Sequence, residues 1–515
     1  MSIISHFRWR FSIATAFTLL ALILTLVYTF ALRASSHAAI EPLTQLSSDP
    51  FHNKISQHMT EVEPDTFAFG NTLVSAFQVG RVFNGGAADI GFATSTNGGE
   101  TFTHGFLPSL TTVSTPPGPY IRVSDAAVAF DPKHNVWLIS ELGLFPGGNT
   151  SEVDVLVSRS TDGGLTWSAP VVVAKGDFDK NWTVCDDTST SAFFGHCYTE
   201  FDNPADGDRI QMSTSTDGGL TWGPALETAN KDFGIGGQPL VQPNGTVIVP
   251  IIGFTTSSTQ PFKMSSFIST NGGASWSSTV KISEVDYHVP QGVRATIPLP
   301  SAEIDASGKV YVVWGDCRFE NGCRFNDLVL TTSTNGLTWS KVQRIPVDPI
   351  GSGIDHFVPG LAVDRTTADG SAHLGLAYYY YPVANCQTLT CRLDVGFLSS
   401  TNGGASWSAS ERISPPMRLQ WLALTTQGYM VGDYISSSII PGDDDAAPAF
   451  EVAFPPTNVP PQGGTCNSAG VVCNEATFTT SEDLLKITGG TNTAGTNEPT
   501  YMPPAQSGPV ARTAY

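Results

Sequence analysis

The chain is poor in charge, and poorest in positive charge. Of its 515 residues only 14% are Asp, Glu, Lys or Arg, and 26 Lys and Arg stand against 46 Asp and Glu, a formal net charge of −20. A surface of that sign repels phosphate backbones and anionic lipid, which excludes nucleic acid and acidic membrane faces as partners. Helical periodicity is scarce too, whereas 50 glycines and 35 prolines punctuate the sequence. With 41% apolar residues, this composition describes a large all-β core. No HExxH, P-loop, GxSxG or dinucleotide fingerprint occurs, so none of the chemistries those motifs carry is indicated. No cofactor and no metal is expected, and the chain is expected to be a monomer. Asp443-Asp444-Asp445 reads as a solvated loop.

What is present is a repeat. Six copies of one short pattern run through the chain: a Ser/Thr pair, Asn or Asp, Gly, a Ser/Thr and an aromatic. The first is Ser95-Thr96-Asn97-Gly98-Gly99-Glu100-Thr101-Phe102, and the others occupy residues 160–167, 215–222, 269–276, 332–339 and 400–407. Their Asn/Asp positions, 97, 162, 217, 271, 335 and 402, lie 54 to 67 residues apart. Repetition at such a period marks an architecture in which each unit buries its apolar face against its neighbours. Within a copy the physics is local. An Asx side chain bonds backbone ahead of it, the glycines accept positive φ, and the segment turns tightly. Alternating strands flank the turns, as in Val153-Asp154-Val155-Leu156-Val157-Ser158 before one and Pro170-Val171-Val172-Val173 after it.

The pattern S-x-D-x-G-x-T-W resembles the Asp box, or BNR repeat, of sialidase-like β-propellers, over roughly residues 41–485. The resemblance implies a propeller in which each box joins the third and fourth strands of a blade, on the rim opposite the ligand-binding face. The boxes are therefore expected to be turns without chemistry. After the sixth box come three more strand-like segments, near 432–435, 449–454 and 476–480, without a box of their own. Leu43-Thr44-Gln45-Leu46-Ser47 resembles the closing strands at 280–283 and 411–414, and pairing it there would join the two ends of the domain and remove an open sheet edge. Seven blades are expected on this reading, the alternative being the six-bladed sialidase propeller.

The N-terminus reads as an export signal. Arg8 and Arg10 in the n-region 1–10 precede an uncharged apolar run, 11–32, long enough to span a bilayer. Small residues in the linker 33–40 suit signal-peptidase cleavage. Cleaved signal and uncleaved anchor both stay open, and both make the chain secreted or held on the outer face of the plasma membrane. Any membrane contact is expected only through this segment. The eight cysteines fall into four local pairs, Cys185/Cys197, Cys317/Cys323, Cys386/Cys391 and Cys466/Cys473, with spacings that lack zinc grouping and fit disulfides in an oxidising compartment. The tail 486–515, rich in Gly, Pro, Thr and Asn, is expected to be disordered.

In sialidases three arginines clamp the substrate carboxylate, an Asp is the acid/base, and a Tyr activated by a Glu is the nucleophile. The reason is chemical: planar guanidinium groups grip a carboxylate bidentately, and a neutral Tyr attacks an anionic sugar without repulsion. Carried onto this chain, the resemblance implies Arg122, Arg294 and Arg318 as the clamp and Asp125 as the acid. Tyr434 or Tyr381 would be the nucleophile, with Glu200 or Glu303 as its base. The family's F/Y-R-I-P motif is degraded here to Tyr120-Ile121-Arg122-Val123. Each residue also has a plainer reading: Arg318 pairs with Asp316 in a stapled loop, and Asp125, Asp179 and Asp433 cap backbone amides. In Tyr378-Tyr379-Tyr380-Tyr381, alternation predicts two buried rings and two exposed ones able to stack on sugars. Two functions are thus left by the sequence: an exported glycoside hydrolase, exo-sialidase-like, acting on extracellular glycans, and a non-catalytic propeller that binds a glycan or protein.

Overall fold

The computed structural model describes residues 42–145, 152–255, 261–456, 466, 472–480 and 485–493. The apolar run 11–32 and its flanks lie outside the described residues, and among those described no helix is long and apolar enough to cross a membrane.

Among the described residues the regular structure is almost all strand, with three single-turn 3₁₀ segments. Its strands group into antiparallel meanders, each made of consecutive segments hydrogen-bonded to the next. The first meander begins at Glu61–Phe69 and the second at Arg122–Asp131. The third begins at Asp179–Cys185, and the fourth at the interrupted pair Gly234–Ile235 and Leu240–Val241. Ser301–Ile304, Asp355–Val363 and Ser436–Ile440 open the fifth, sixth and seventh. A single bridge, Ala87 to Val123, links the first meander to the second. The seventh runs through Ser436–Ile440, Asp445–Ala453 and Glu475–Thr480, with the short Leu485–Lys486 paired beside the second of these. Its outer strand is Leu43–Gln45, which pairs antiparallel with Glu475–Thr480 in the register Leu43 to Thr480. Leu46 continues this seam by donating its amide to the Thr477 carbonyl at 2.8 Å.

Alternation along each strand sends one set of side chains to either sheet face, so both faces must find cover. They find it in the neighbouring meander. One apolar cluster joins the first two units through Val74, Phe92, Phe130 and Trp137. Others join the fifth and sixth through Tyr311, Leu330, Leu376 and Trp407, and the sixth and seventh through Phe357, Leu393, Phe450 and Val452. The seventh meets the first through Ala449, Phe77 and Val79. The first strands neighbour one another in the same order, and the first strand of the seventh unit neighbours that of the first.

The six boxes are turns, as the sequence predicts. In the second, Ser160 Oγ bonds Asp162 at 2.7 Å and accepts the Gly164 amide at 2.9 Å, while Asp162 accepts the Thr166 amide at 2.9 Å and its hydroxyl at 2.6 Å. Gly163 and Gly164 sit at φ 83° and 81°, which explains the paired glycines. The boxes also tie units together. Thr94 of the first meander donates to the Gly164 carbonyl of the second box at 2.6 Å, and Ser266 of the fourth to Gly336 of the fifth at 2.6 Å. Register fixes where they lie: Leu73 pairs with both Ala68 and Ser95. The boxes therefore stand at the end where first strands finish, away from the end where they begin.

All four expected cysteine pairs are disulfides. The tyrosine run departs from expectation: Tyr378, Tyr379 and Tyr381 are all buried, because one sheet face packs on the fifth unit and the other on the seventh, leaving no free face to expose. Of the tail expected to be disordered, Asn492–Thr493 pairs with Ser406–Trp407. Residues 494–515 lie outside the described residues.

Candidate functional site where the first strands begin

Four first strands carry the same backbone irregularity. Their register slips by a bulge, and at the slip one residue with a side chain takes a left-handed conformation: Glu63 at φ 58°, Asp125 at 52°, Lys180 at 49° and Val358 at 48°. A bulge re-aims a side chain, and positive φ at a residue other than glycine is held only where the surroundings enforce it. In three of the four the re-aimed side chain is charged, and the three converge. Lys180 Nζ lies 3.0 Å from Asp125 Oδ2 and 3.6 Å from Glu63 Oε1. It also lies 2.6 Å from Asp433 Oδ2. Arg294 completes the group with a two-pronged grip on Asp433, Nε to Oδ1 at 2.8 Å and Nη2 to Oδ2 at 2.6 Å.

Local backbone sets these groups in place. Asp433 enters just before the seventh unit's first strand, on a segment that runs against the bulge of the first. Its amide donates to Glu63 Oε1 at 3.1 Å, and the Glu63 amide donates to the Val431 carbonyl at 3.2 Å. A Cβ on Gly432 would stand 3.1 Å from Glu63 Cα and 2.5 Å from the Tyr434 carbonyl, so this approach needs glycine. Arg294 is anchored by its amide to the Tyr429 carbonyl at 2.6 Å. Behind Glu63, Gln78 donates to its Oε2, and Arg81 donates to Gln78 Oε1 at 2.7 Å.

The electrostatics follow from burial and from mutual neutralisation. Burial pushes Glu63 up to about 7 against the pull of Lys180. It pushes Asp179 up to about 7 in the same way. Asp433 goes the other way: burial opposes its charge, but Arg294 and Lys180 hold it well below the usual carboxylate range. Burial works against Lys180 as well, and Asp125, Asp433 and Glu63 overcome it, raising Lys180 well above an ordinary lysine. Tyr434 is pushed far above an ordinary phenol by burial and then by Asp125 and Glu63; its hydroxyl donates to the Ala126 carbonyl at 3.2 Å.

Beside the cluster lies a shallow concavity, open to solvent, whose enclosed space of about 10 Å³ is no more than one water molecule needs. Asp433 and Tyr434 form one side, and Tyr287, Ile297, Leu299 and Val358 are among the residues of the other.

The sequence-derived residues divide between this site and other places. Asp125 and Arg294 lie in the cluster, and Tyr434 adjoins it with its ring 5.9 Å from Lys180 Nζ. Arg122 instead donates to Asn84 Oδ1 at 3.0 Å and the Gly85 carbonyl at 2.8 Å. Arg318 grips Asp316 through Nε at 2.9 Å and Nη2 at 2.7 Å, and Nη1 donates to Ser283 Oγ at 3.0 Å. Glu200 belongs to a second buried carboxyl group with Asp202. It accepts the Gly237 amide at 3.1 Å, and burial raises both carboxyls well above the ordinary range. Tyr381 donates to the Gln291 carbonyl at 2.9 Å. Sequence reading missed Glu63 and Arg81 as site members. The signal was faint: a charged residue inside an otherwise apolar strand, in Val62-Glu63-Pro64 and Val79-Gly80-Arg81.

The family model for a BNR repeat-like domain matches residues 142–363. No curated protein matches the chain. Among solved structures, a Hadza microbial sialidase is 15% identical with a TM-score of 0.41, over 83% of this chain and 66% of that one. The sialidase of Trypanosoma rangeli, solved with the inhibitor DANA, is 14% identical with a TM-score of 0.41, over 72% of this chain and 58% of that one. A polysaccharide lyase, an ulvan lyase, is 10% identical with a TM-score of 0.47, over 86% of this chain and 96% of that one. At these scores the likenesses carry no argument about activity. The matched family model and the six boxes together bear out the resemblance to sialidase-like BNR-repeat proteins.

Proposed function

We propose that the chain is an exported seven-bladed propeller that acts on glycans, as a glycoside hydrolase, at the face where its first strands begin. The seven meanders, their ring of first strands and the N-terminal strand in the last one support the blade count. Four disulfides support an oxidising destination and hence export.

One observation carries the functional reading. Behind the wall of the concavity a buried carboxyl held near neutrality, Glu63, is one hydrogen bond from the amide of a carboxylate held ionised, Asp433, which lines it. Environments that push two carboxyls apart in this way divide acid from base, and glycoside hydrolysis needs such a division. Asp433 faces the sugar and opposes the positive charge that develops at its ring, and Glu63 stores the proton behind it. Tyr434, its hydroxyl committed to Ala126, serves as wall.

The test is turnover of a fluorogenic sialoside and a panel of neutral glycosides by the full chain. Asp433→Asn is expected to lower any turnover by about 100-fold or more, within the range for a lost acid/base group. Binding without turnover of any substrate would favour the non-catalytic reading, which the mutual neutralisation of Lys180, Arg294 and Asp433 already supports.

A further inference from the structure

We propose that Asp327, Asp348 and His356 bind one divalent metal ion of the zinc class, which ties the fifth unit to the sixth. Such a site would hold whether or not the chain acts on glycans.

Three elements meet there. Asp327 opens the third strand of the fifth unit, Asp327–Ser333. His356 stands near the start of the sixth unit's first strand, Asp355–Val363, and Asp348 lies on the connection between the two units. Each offers one donor atom, and the three lie within 4.8 Å of one another. Asp327 and His356 are buried, and Asp348 is half-buried.

Two features of this group require a cation. Asp327 Oδ1 is paired with Arg344 Nη2 at 2.7 Å, but Oδ2 is buried with no hydrogen-bond donor among the described residues. A buried carboxylate oxygen left in that state is destabilising unless an ion pairs with it. The second feature is the imidazole. His356 Nδ1 lies 3.0 Å from the Asn326 carbonyl, which can only accept, so Nδ1 carries hydrogen. In the neutral ring Nε2 then turns a lone pair toward Asp348 Oδ2, 3.8 Å away. Acceptor facing acceptor is repulsive until a cation stands between them. Metal-bound histidines are held by this same bond from the other ring nitrogen to a carbonyl. Zinc bonds of about 2.1 Å let one ion bridge donors up to about 4.2 Å apart, and the His356–Asp348 pair falls within that reach.

The surrounding charges favour the same ion. Arg344 Nη2 also donates to Asp348 Oδ1 at 2.8 Å, and the Ser352 hydroxyl donates to Asp348 Oδ2 at 2.5 Å. Glu320, on the loop closed by Cys317 and Cys323, accepts the Gly351 amide through both oxygens, and its charge bears on Asp327. Three carboxyls against one guanidinium leave two negative charges for a divalent ion to neutralise. An imidazole beside carboxylates selects zinc-class ions over calcium and magnesium, which take oxygen alone. Sequence leads to the opposite expectation because positions 327, 348 and 356 form no ligand motif.

The experiment is calorimetric titration of the full chain, freed of metal with EDTA, with Zn²⁺ alone. One equivalent is expected to bind at micromolar affinity or tighter and to raise the melting temperature as free Zn²⁺ rises. Ca²⁺ and Mg²⁺ are expected to do neither. Asp348→Asn, which keeps an oxygen for Arg344, is expected to weaken Zn²⁺ binding at least about 100-fold, the upper cost of losing even a residue that only supports a ligand. His373→Gln alters the other carboxylate–imidazole group, with Asp364 and Asp444, and is expected to leave binding unchanged. In proton NMR of the native Co²⁺ form, one paramagnetically shifted ring N–H is expected, that of His356 Nδ1, whatever the folding of the variants. No Zn²⁺ uptake by the native chain would overturn the site and leave a proton shared between Asp327 and Glu320 in its place. Ca²⁺ binding as tight as Zn²⁺, uptake unaffected by Asp348→Asn, or a Co²⁺ form without the shifted N–H would each overturn it too.

Discussion

The two ends of the first strands treat the same residue types in opposite ways. At the box end, aspartate and asparagine are exposed or half-buried and their oxygens are satisfied by backbone amides a few positions ahead. Burial works slightly against Asp162, but its bonds from Thr166 and Ser160 prevail and bring it down to about 2. At the other end, Glu63 and Asp125 are buried and Asp433 is half-buried, all three facing the Lys180 ammonium of another unit, and Glu63 is pushed up to about 7. One end is a fastening made six times from local sequence. The other is made once, from residues that only the packing of distant meanders brings together.

The sharpest way to break that contrast is at Asp433. Asp433→Ala leaves Lys180 and Arg294 buried without their shared counter-charge, an expected loss of about 3–5 kcal/mol in urea unfolding. A loss under about 1 kcal/mol would mean that the cluster is solvated in practice and that its end is no different from the box end.

Next in size is the pH dependence of stability, because the two ends have opposite signs. Glu61, Glu63 and Asp65 are raised by burial from 4.5, 4.5 and 3.8 to about 8, 7 and 7. Folding holds their protons in a range where the unfolded chain has released them, so their contribution is full below about pH 4 and is lost as pH rises toward 7–8. The box residue Asp162, lowered from 3.8 to about 2, contributes above pH 3.8 and loses that contribution as pH falls through 2. Urea midpoints are therefore expected to fall between pH 5 and pH 8. A level or rising midpoint would show that the buried carboxyls are ionised and compensated.

The smallest effect belongs to a single fastening. Asn402 accepts the Ser406 amide at 2.9 Å and donates to its hydroxyl at 2.8 Å. Asn402→Ala is expected to cost about 1 kcal/mol, the net worth of one or two such bonds, with no effect on the glycan binding proposed above. A change in binding would couple the two ends.

The same contrast explains what could be read from the sequence. A box writes its own turn within eight residues, so its fold and even the borrowed strand Leu43–Gln45 were legible from local pattern. The disulfides were legible because each closes a short loop. The cluster was not, because the Asp433 amide and its acceptor Glu63 stand 370 positions apart. No local pattern encodes a meeting at that distance. Arg122 and Arg318 followed from the resemblance, but a resemblance does not say whether an arginine faces a ligand or its own neighbour. The left-handed bulges at Glu63, Asp125 and Lys180 were equally hidden, since none falls on glycine, asparagine or a turn motif.

The borrowed strand has a consequence for how the molecule is made. During synthesis from the N-terminus, Leu43–Gln45 emerges ahead of the other described strands and finds its partner, Glu475–Thr480, only when nearly the whole domain has left the ribosome. Until then the first unit lacks its seventh neighbour, Glu63 lacks Asp433, and the apolar surface of Phe77 and Val79 is uncovered. A nascent chain of this topology holds an open seam for most of its synthesis time, and the cluster of Glu63, Lys180 and Asp433 is among the last parts of it to exist.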